Sequence, residues 1–214
     1  MKSYFALLTL LVLTSVALIF LPFDKDFVVK EGGVIEVATV VLYGVLIVLL
    51  LALRKLRWFW GNFLCACCLL VLLFRELDFD KAFTTMGIFK SNFYKSESIS
   101  LLEKSSGLAV TLLIVAIFFV TLKHYGKSLL SAIRQLKPPE VGVAIAVGLA
   151  MVSKLILDGL PRKLENVGLP LNSFLEENHW IFEEVFELGI PLSLLLSFYY
   201  LRLHSSEGRT RQGE

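Results

Sequence analysis

Six long apolar runs, at 4–21, 33–53, 58–74, 107–122, 141–157 and 180–200, leave this chain few ways to fold. A helix rises about 1.5 Å per residue and the hydrocarbon layer of a bilayer is about 30 Å thick, so runs of this length match membrane spans. Hydrocarbon offers no water to the backbone, and a helix is the form that closes its own hydrogen bonds there. The fold class expected is all-α: a polytopic membrane protein, a six-transmembrane-helix bundle occupying 1–204. Residues 76–106 form an outer interfacial loop and 205–214 a cytoplasmic tail.

Composition agrees. Hydrophobic residues make up 56% of the chain and mean hydropathy is +0.73, against about 45–50% apolar residues in an average soluble domain. Residues 76–106 are the longest stretch outside the runs, which leaves no room for a sizeable soluble domain. Pro22 ends the first run, Pro138-Pro139 open the fifth, and Pro191 predicts a kink within the sixth. The first run resembles a signal peptide in position, but no small-residue cleavage site follows it: Leu21-Pro22-Phe23-Asp24 stands there instead. It is read as a retained first helix.

Positive charge decides the expected orientation. Lys2, Arg54, Lys55, Arg57, Lys123, Lys127, Arg134, Lys137, Arg202, Arg209 and Arg211 all flank one side. Only Glu140, Glu207 and Glu214 accompany them. The other side and the spans hold the remaining 10 of 21 positives and 16 of 19 acids. Both termini are therefore expected in the cytoplasm, and the location expected is a bacterial inner (plasma) membrane.

Two connecting segments have their own pattern. Residues 127–137 place Leu129, Leu130, Ile133 and Leu136 opposite basic residues, which predicts a short helix on the anionic lipid surface or else a plain basic loop. The outer loop carries Phe83, Met86, Ile88, Phe89, Phe93 and Tyr94 among polar residues, so it is expected to dip into the interface and cap the bundle.

Several function classes lack their required residues. Cys65, Cys67 and Cys68 lie inside an apolar run, so they are read as packing residues and not as a secreted disulfide framework. A transmembrane haem needs paired histidines within spans, whereas His124, His179 and His204 lie at span ends; no haem is expected. Glu31-Gly32-Gly33 is a turn and no phosphate-binding glycine loop occurs, so no nucleotide is expected. The basic residues are accounted for by topology, which leaves nucleic-acid binding without support.

The ionisable residues at membrane depth point to function, because such groups are costly and face protein or a water-filled cavity. On the outward topology, Glu36, Arg75, Glu76, Lys154, Asp158, Glu183, Glu184 and Glu187 reach one level, the outer third of the membrane. Thr39 and Tyr43 continue the face of Glu36. Lys154 and Asp158 share a face with Gly142, Ala146 and Ala150, whose small side chains predict close helix packing. Glu176, His179, Glu183 and Glu187 form one stripe on the sixth span. The level holds six acids against two bases, an excess met by protons, a bound cation or water.

Three readings follow. In the first, an outward-facing enzyme uses Glu183, Glu187 and Glu36 in acid/base work or as ligands of a divalent metal, with His179, Glu183 and Glu187 as the metal set. Lys154, Arg75, Asp158, Glu76 and Glu184 would bind the substrate, an outer-leaflet lipid or lipid-linked molecule. In the second, a non-enzymatic accessory or sensor protein binds a partner, a cation or a lipid headgroup there. In the third, a small proton-coupled transporter uses the carboxylates, though the inner half lacks a polar path. Interhelical charge ties account for the same residues without a site. The partners expected are membrane lipids, with a second copy or another membrane protein as further partners.

Overall fold

A computed structural model describes residues 1–22, 24–30, 32–52, 59–169 and 172–210. The fold is all-helical, 83% helix, with no strand among the described residues. The helices are α1 (Lys2–Phe20), α2 (Lys25–Val29), α3 (Val34–Ala52), α4 (Phe59–Glu76), α5 (Phe79–Phe83), α6 (Ser91–Lys95), α7 (Leu101–Arg134), α8 (Pro138–Met151), α9 (Leu160–Glu165) and α10 (Ser173–Thr210). A π-helical segment, Val152–Leu157, continues α8. Among the described residues, four stretches are long and apolar enough to cross a membrane: Lys2–Phe20, Phe27–Ala52 (which contains α3), Leu101–Arg134 and Pro138–Leu157. The chain is thus a membrane protein by its helices. The runs at 58–74 and 180–200 correspond to α4 and α10. The expected turn at Glu31, the basic flank of Arg54, Lys55 and Arg57, the limits Leu53 and Trp58, and the tail end with Arg211 and Glu214 lie outside the described residues.

The chain divides into two compact units, Met1–Leu42 with Ser131–Glu214, and Tyr43–Leu130. In the first, α10 is the axis, with α8 and α1 packed along it. The expected small-residue stripe forms this contact: Gly142 and Ala146 are buried. A β-carbon added at Gly142 would sit 2.8 Å from Ser197 Cβ and 2.9 Å from the Ser193 carbonyl oxygen. One added at Gly189 would sit 2.5 Å from Leu11 Cδ1 and 2.9 Å from Leu149 Cδ1. Hydrogen in place of a side chain lets α8 approach the α10 backbone at Ser193, and lets the Leu11 and Leu149 side chains lie directly on α10 at Gly189, the device that holds helices together where no hydrophobic effect separates protein from lipid.

Polar contacts tie the same helices at one end. Tyr4 Oη donates to the Pro138 carbonyl at 2.8 Å and Ser197 Oγ to the Pro139 carbonyl at 2.5 Å. Ser3 Oγ and Tyr200 Oη are 2.8 Å apart. Pro138 and Pro139 suit the first turn of α8, where a missing N–H costs nothing.

In the second unit, α4 and α7 are tied where Cys68 Sγ lies 3.4 Å from Thr121 Oγ1. The segment expected as an outer loop has structure of its own. It contains α5 and α6, and Ile88, Phe93 and Ile99 form a small core with Met86 and Tyr94 against it. Asp80 Oδ2 accepts from the Ile88 N–H at 3.0 Å, and Glu103 Oε1 from the Thr85 N–H at 2.8 Å. Gly107 admits Phe93, whose Cε1 would be 2.8 Å from an added β-carbon.

Residues 127–134, expected as a separate surface helix or a loop, are the last turns of α7. No proline interrupts the chain from Leu101 to Arg134, so the 34-residue helix runs on. It closes in a Schellman arrangement: the Lys137 N–H bonds the Ala132 carbonyl at 3.1 Å and the Leu136 N–H the Ile133 carbonyl at 2.9 Å. Leu136 holds the left-handed position, φ 53°, that glycine normally takes.

Two outcomes are expected in thermal unfolding of the detergent-purified protein. Gly142→Val lowers stability by about 1–3 kcal/mol, because the α8–α10 approach must open. Leu136→Gly raises it by about 1 kcal/mol, since Leu136 is 61% exposed and gives up little packing while the left-handed strain is removed.

Candidate functional site

Within the first unit, four polar side chains meet between the end of α8 and the start of α10's apolar run. Glu183 and Glu187 are four residues apart on α10, one turn above the other on one face. Ser153 and Lys154 come from the π-helical segment. A wider turn sets consecutive side chains at a smaller angle than the α-helix does, so both adjacent residues reach α10. The Asp158 N–H bonds the Ser153 carbonyl five residues back, at 2.8 Å, the mark of the π-turn.

The contacts form one network. Lys154 Nζ lies 2.8 Å from Glu183 Oε1 and is also ion-paired with Glu187 Oε1. Ser153 Oγ donates to the same Glu187 oxygen at 2.6 Å. The network has a closed and an open side: Ser153 is fully buried and Glu187 is 3% exposed, whereas the Lys154 and Glu183 side chains are 32% and 14% exposed. Two carboxylates share one ammonium, so with all three ionised the cluster carries one net negative charge.

Both backbones depart from regular α-helix at this level. α8 has become π-helical, and Pro191 has no N–H to place against the carbonyl of Glu187 four residues before it. Irregular helical backbone at membrane depth clusters at functional sites.

Asp158 does not join Lys154, although the two are four residues apart. The π-turn breaks the α-helical spacing on which that pairing depends, and the backbone leaves the helix at Asp158 (ψ 115°) before the left-handed Gly159 (φ 61°). Asp158 is exposed, and its carbonyl accepts from Lys163 Nζ. Glu36 Oε2 accepts from the Gly32 N–H at 2.6 Å, holding the turn before its own helix. Thr39 is buried, its hydroxyl returned to the Ile35 carbonyl at 2.9 Å, and Tyr43 is buried too. His179 Nδ1 is 2.9 Å from the Glu176 carbonyl, a contact within α10's first turns. Glu184 is half-buried on α10. Arg75 and Glu76 end α4 in the second unit, Glu76 at 9% exposure.

Ser153 was not singled out by sequence reasoning. Its signal was a hydroxyl beside the lysine inside an apolar run, which resembles ordinary helix back-bonding; only the π-turn turns it to Glu187.

The expected metal set does not fit this arrangement. No group of three His, Cys, Asp or Glu side chains converges among the described residues. Glu183 and Glu187 each turn Oε1 to the Lys154 ammonium, which lies between the two carboxylates.

No protein-family profile, curated protein or solved structure matches the chain.

Lys154→Met would leave two carboxylates facing each other with no cation. For a fully buried pair that costs about 3–5 kcal/mol; with Lys154 about a third exposed, on the order of 2 kcal/mol is expected. Adding Glu187→Leu should restore part of the loss, and denaturation of the two variants side by side measures the coupling.

Proposed function

We propose that this chain is a six-span membrane protein with both termini in the cytoplasm of a bacterial inner (plasma) membrane, and that it is an acid/base enzyme. Its working site is Ser153, Lys154, Glu183 and Glu187, opening toward the outer side of the membrane. The single observation supporting this is the grading of the network from a partly exposed pair, Lys154 and Glu183, to a buried pair, Ser153 and Glu187.

In this reading the partly exposed pair meets the substrate. Lys154 donates a proton from its ammonium to a developing anion on the substrate, and Glu183 accepts one from a substrate hydroxyl. Proton transfer of this kind from positioned groups accelerates reactions by about 10²–10⁴-fold. Glu187 positions Lys154, and Ser153 orients Glu187, so neither has to touch substrate. The substrate class is an outer-leaflet lipid or a lipid-linked molecule, whose headgroup lies at the depth assigned to these residues. Glu36, Asp158, Arg75, Glu76 and Glu184 are not needed for this step.

A second reading is supported by the close packing at Gly142 and Gly189. The same network then only ties α8 to α10 in an accessory protein. The two readings separate in one experiment. Membranes from cells carrying wild-type protein, no protein or Glu183→Gln are compared by lipid mass spectrometry, with thermal unfolding as a check on folding. The enzyme reading expects folded Glu183→Gln to reproduce the lipid accumulation seen without the protein. A lipid profile equal to wild type from a folded Glu183→Gln would overturn it in favour of the accessory reading.

A further inference from the structure

The apolar residues of the outer segment fall into two sets that the sequence does not separate. Ile88, Phe93 and Ile99 turn inward and make its small core. Phe79 and Phe83 turn outward and continue a row of rings that begins in α4. Phe74, in the last turns of α4, stacks on Phe79 with ring centroids 4.7 Å apart, and Phe79 meets Phe83 at 4.7 Å. The three are 42%, 44% and 73% exposed. Asp78 makes the row possible. It takes a left-handed conformation, φ 45°, which aspartate tolerates better than most residues, and this folds α5 back against the end of α4.

We infer that α5 lies in the phospholipid interface, its Phe79 and Phe83 rings inserted beside the acyl chains as an outward extension of the lipid-facing surface of α4. The face opposite the rings is polar. Lys81 falls about 200° around the helix from Phe79, and it is ion-paired with Asp78. A short helix with aromatic rings on one side and charge on the other has the chemistry of an interfacial segment. The row also starts from α4, the helix of the apolar run at 58–74, which the six-span reading proposed above takes as a span, and this inference rests on that reading for placing the near end of the row at the boundary.

The occupant is lipid and not a partner protein because the patch is contiguous with α4, and because the segment's own core is complete without these rings. Charge adds no selectivity. Residues 77–106 carry Asp78, Asp80, Glu97 and Glu103 against Lys81, Lys90, Lys95 and Lys104. With equal numbers of each sign, insertion should depend on the rings and not on anionic headgroups.

The test uses the full chain in lipid nanodiscs, with Cys65, Cys67 and Cys68 replaced by alanine. Single cysteines are placed by Phe83→Cys and, as an exposed control in the same segment, Lys95→Cys. Both are spin-labelled, and collision with oxygen is compared with collision with a water-soluble nickel chelate. The label at 83 should favour oxygen and lose nickel contact, while the label at 95 should do the reverse. The pattern should be the same in phosphatidylcholine and in phosphatidylglycerol nanodiscs. Equal nickel access at 83 and 95, in the purified chain with no partner present, would overturn the proposal. Should the cysteine-free background fail to fold, Phe83→Trp in a chain with Trp58, Trp60 and Trp180 replaced by phenylalanine serves instead. Its fluorescence should be quenched by lipids brominated near the headgroup end of the acyl chain, and absence of quenching would equally overturn the proposal.

Discussion

The close approach of α8 to α10 is the contact on which the first unit rests. Lipid tails are as apolar as leucine, so a helix inside a bilayer gains little by exchanging lipid for apolar protein. What remains is van der Waals contact at short range and hydrogen bonds shielded from water. Gly142 and Gly189 supply the first by presenting no side chain where Ser193, Ser197, Leu11 and Leu149 press in. Tyr4 and Ser197 supply the second by closing on the carbonyls that begin α8. Lys154 and Ser153 reach Glu183 and Glu187 only because the backbones have already been brought this near.

The charged network is a consequence of that packing and also a cost to it. Each ion brought out of water loses hydration, and mutual attraction offsets that loss only when geometry is good and remaining oxygens find donors. The donor from Ser153 to Glu187 meets that condition on the buried side. The π-turn that delivers Ser153 is itself a departure from the favoured helix. A chain selected for stability alone would have simpler ways to join two helices, such as apolar residues of similar volume. That expense is the physical reason we propose a chemical role for this place.

Part of the candidate site was legible before any tertiary structure. Glu183 and Glu187 stand four residues apart in an otherwise apolar run, and Lys154 lies one turn from the end of another, above a stripe of small residues. Those spacings predicted shared faces and close packing. Placing Lys154 and Asp158 on one face followed from the same spacing, but the two side chains do not meet, because the helix between them is not an α-helix. Ser153 had no distinguishing pattern. Glu36 was grouped with the glutamates by depth and His179 by its place on their stripe, whereas short-range hydrogen bonds hold each of them to its own segment.

The sequence by itself determined that this is a helical membrane protein and where its apolar runs lie. Those properties depend on hydropathy summed over about 20 residues and on the need to close backbone hydrogen bonds, and both are local. It also determined where charge enters those runs. The tertiary structure decided which charges meet. It placed Lys154 between two glutamates, turned Asp158 outward, added Ser153 and sorted the phenylalanines of the outer segment into core and surface. Contacts of this kind depend on a single extra residue in one turn, on a left-handed aspartate and on two missing β-carbons. Such features act at distances of a few ångströms between residues far apart in the chain, where periodicity carries no information.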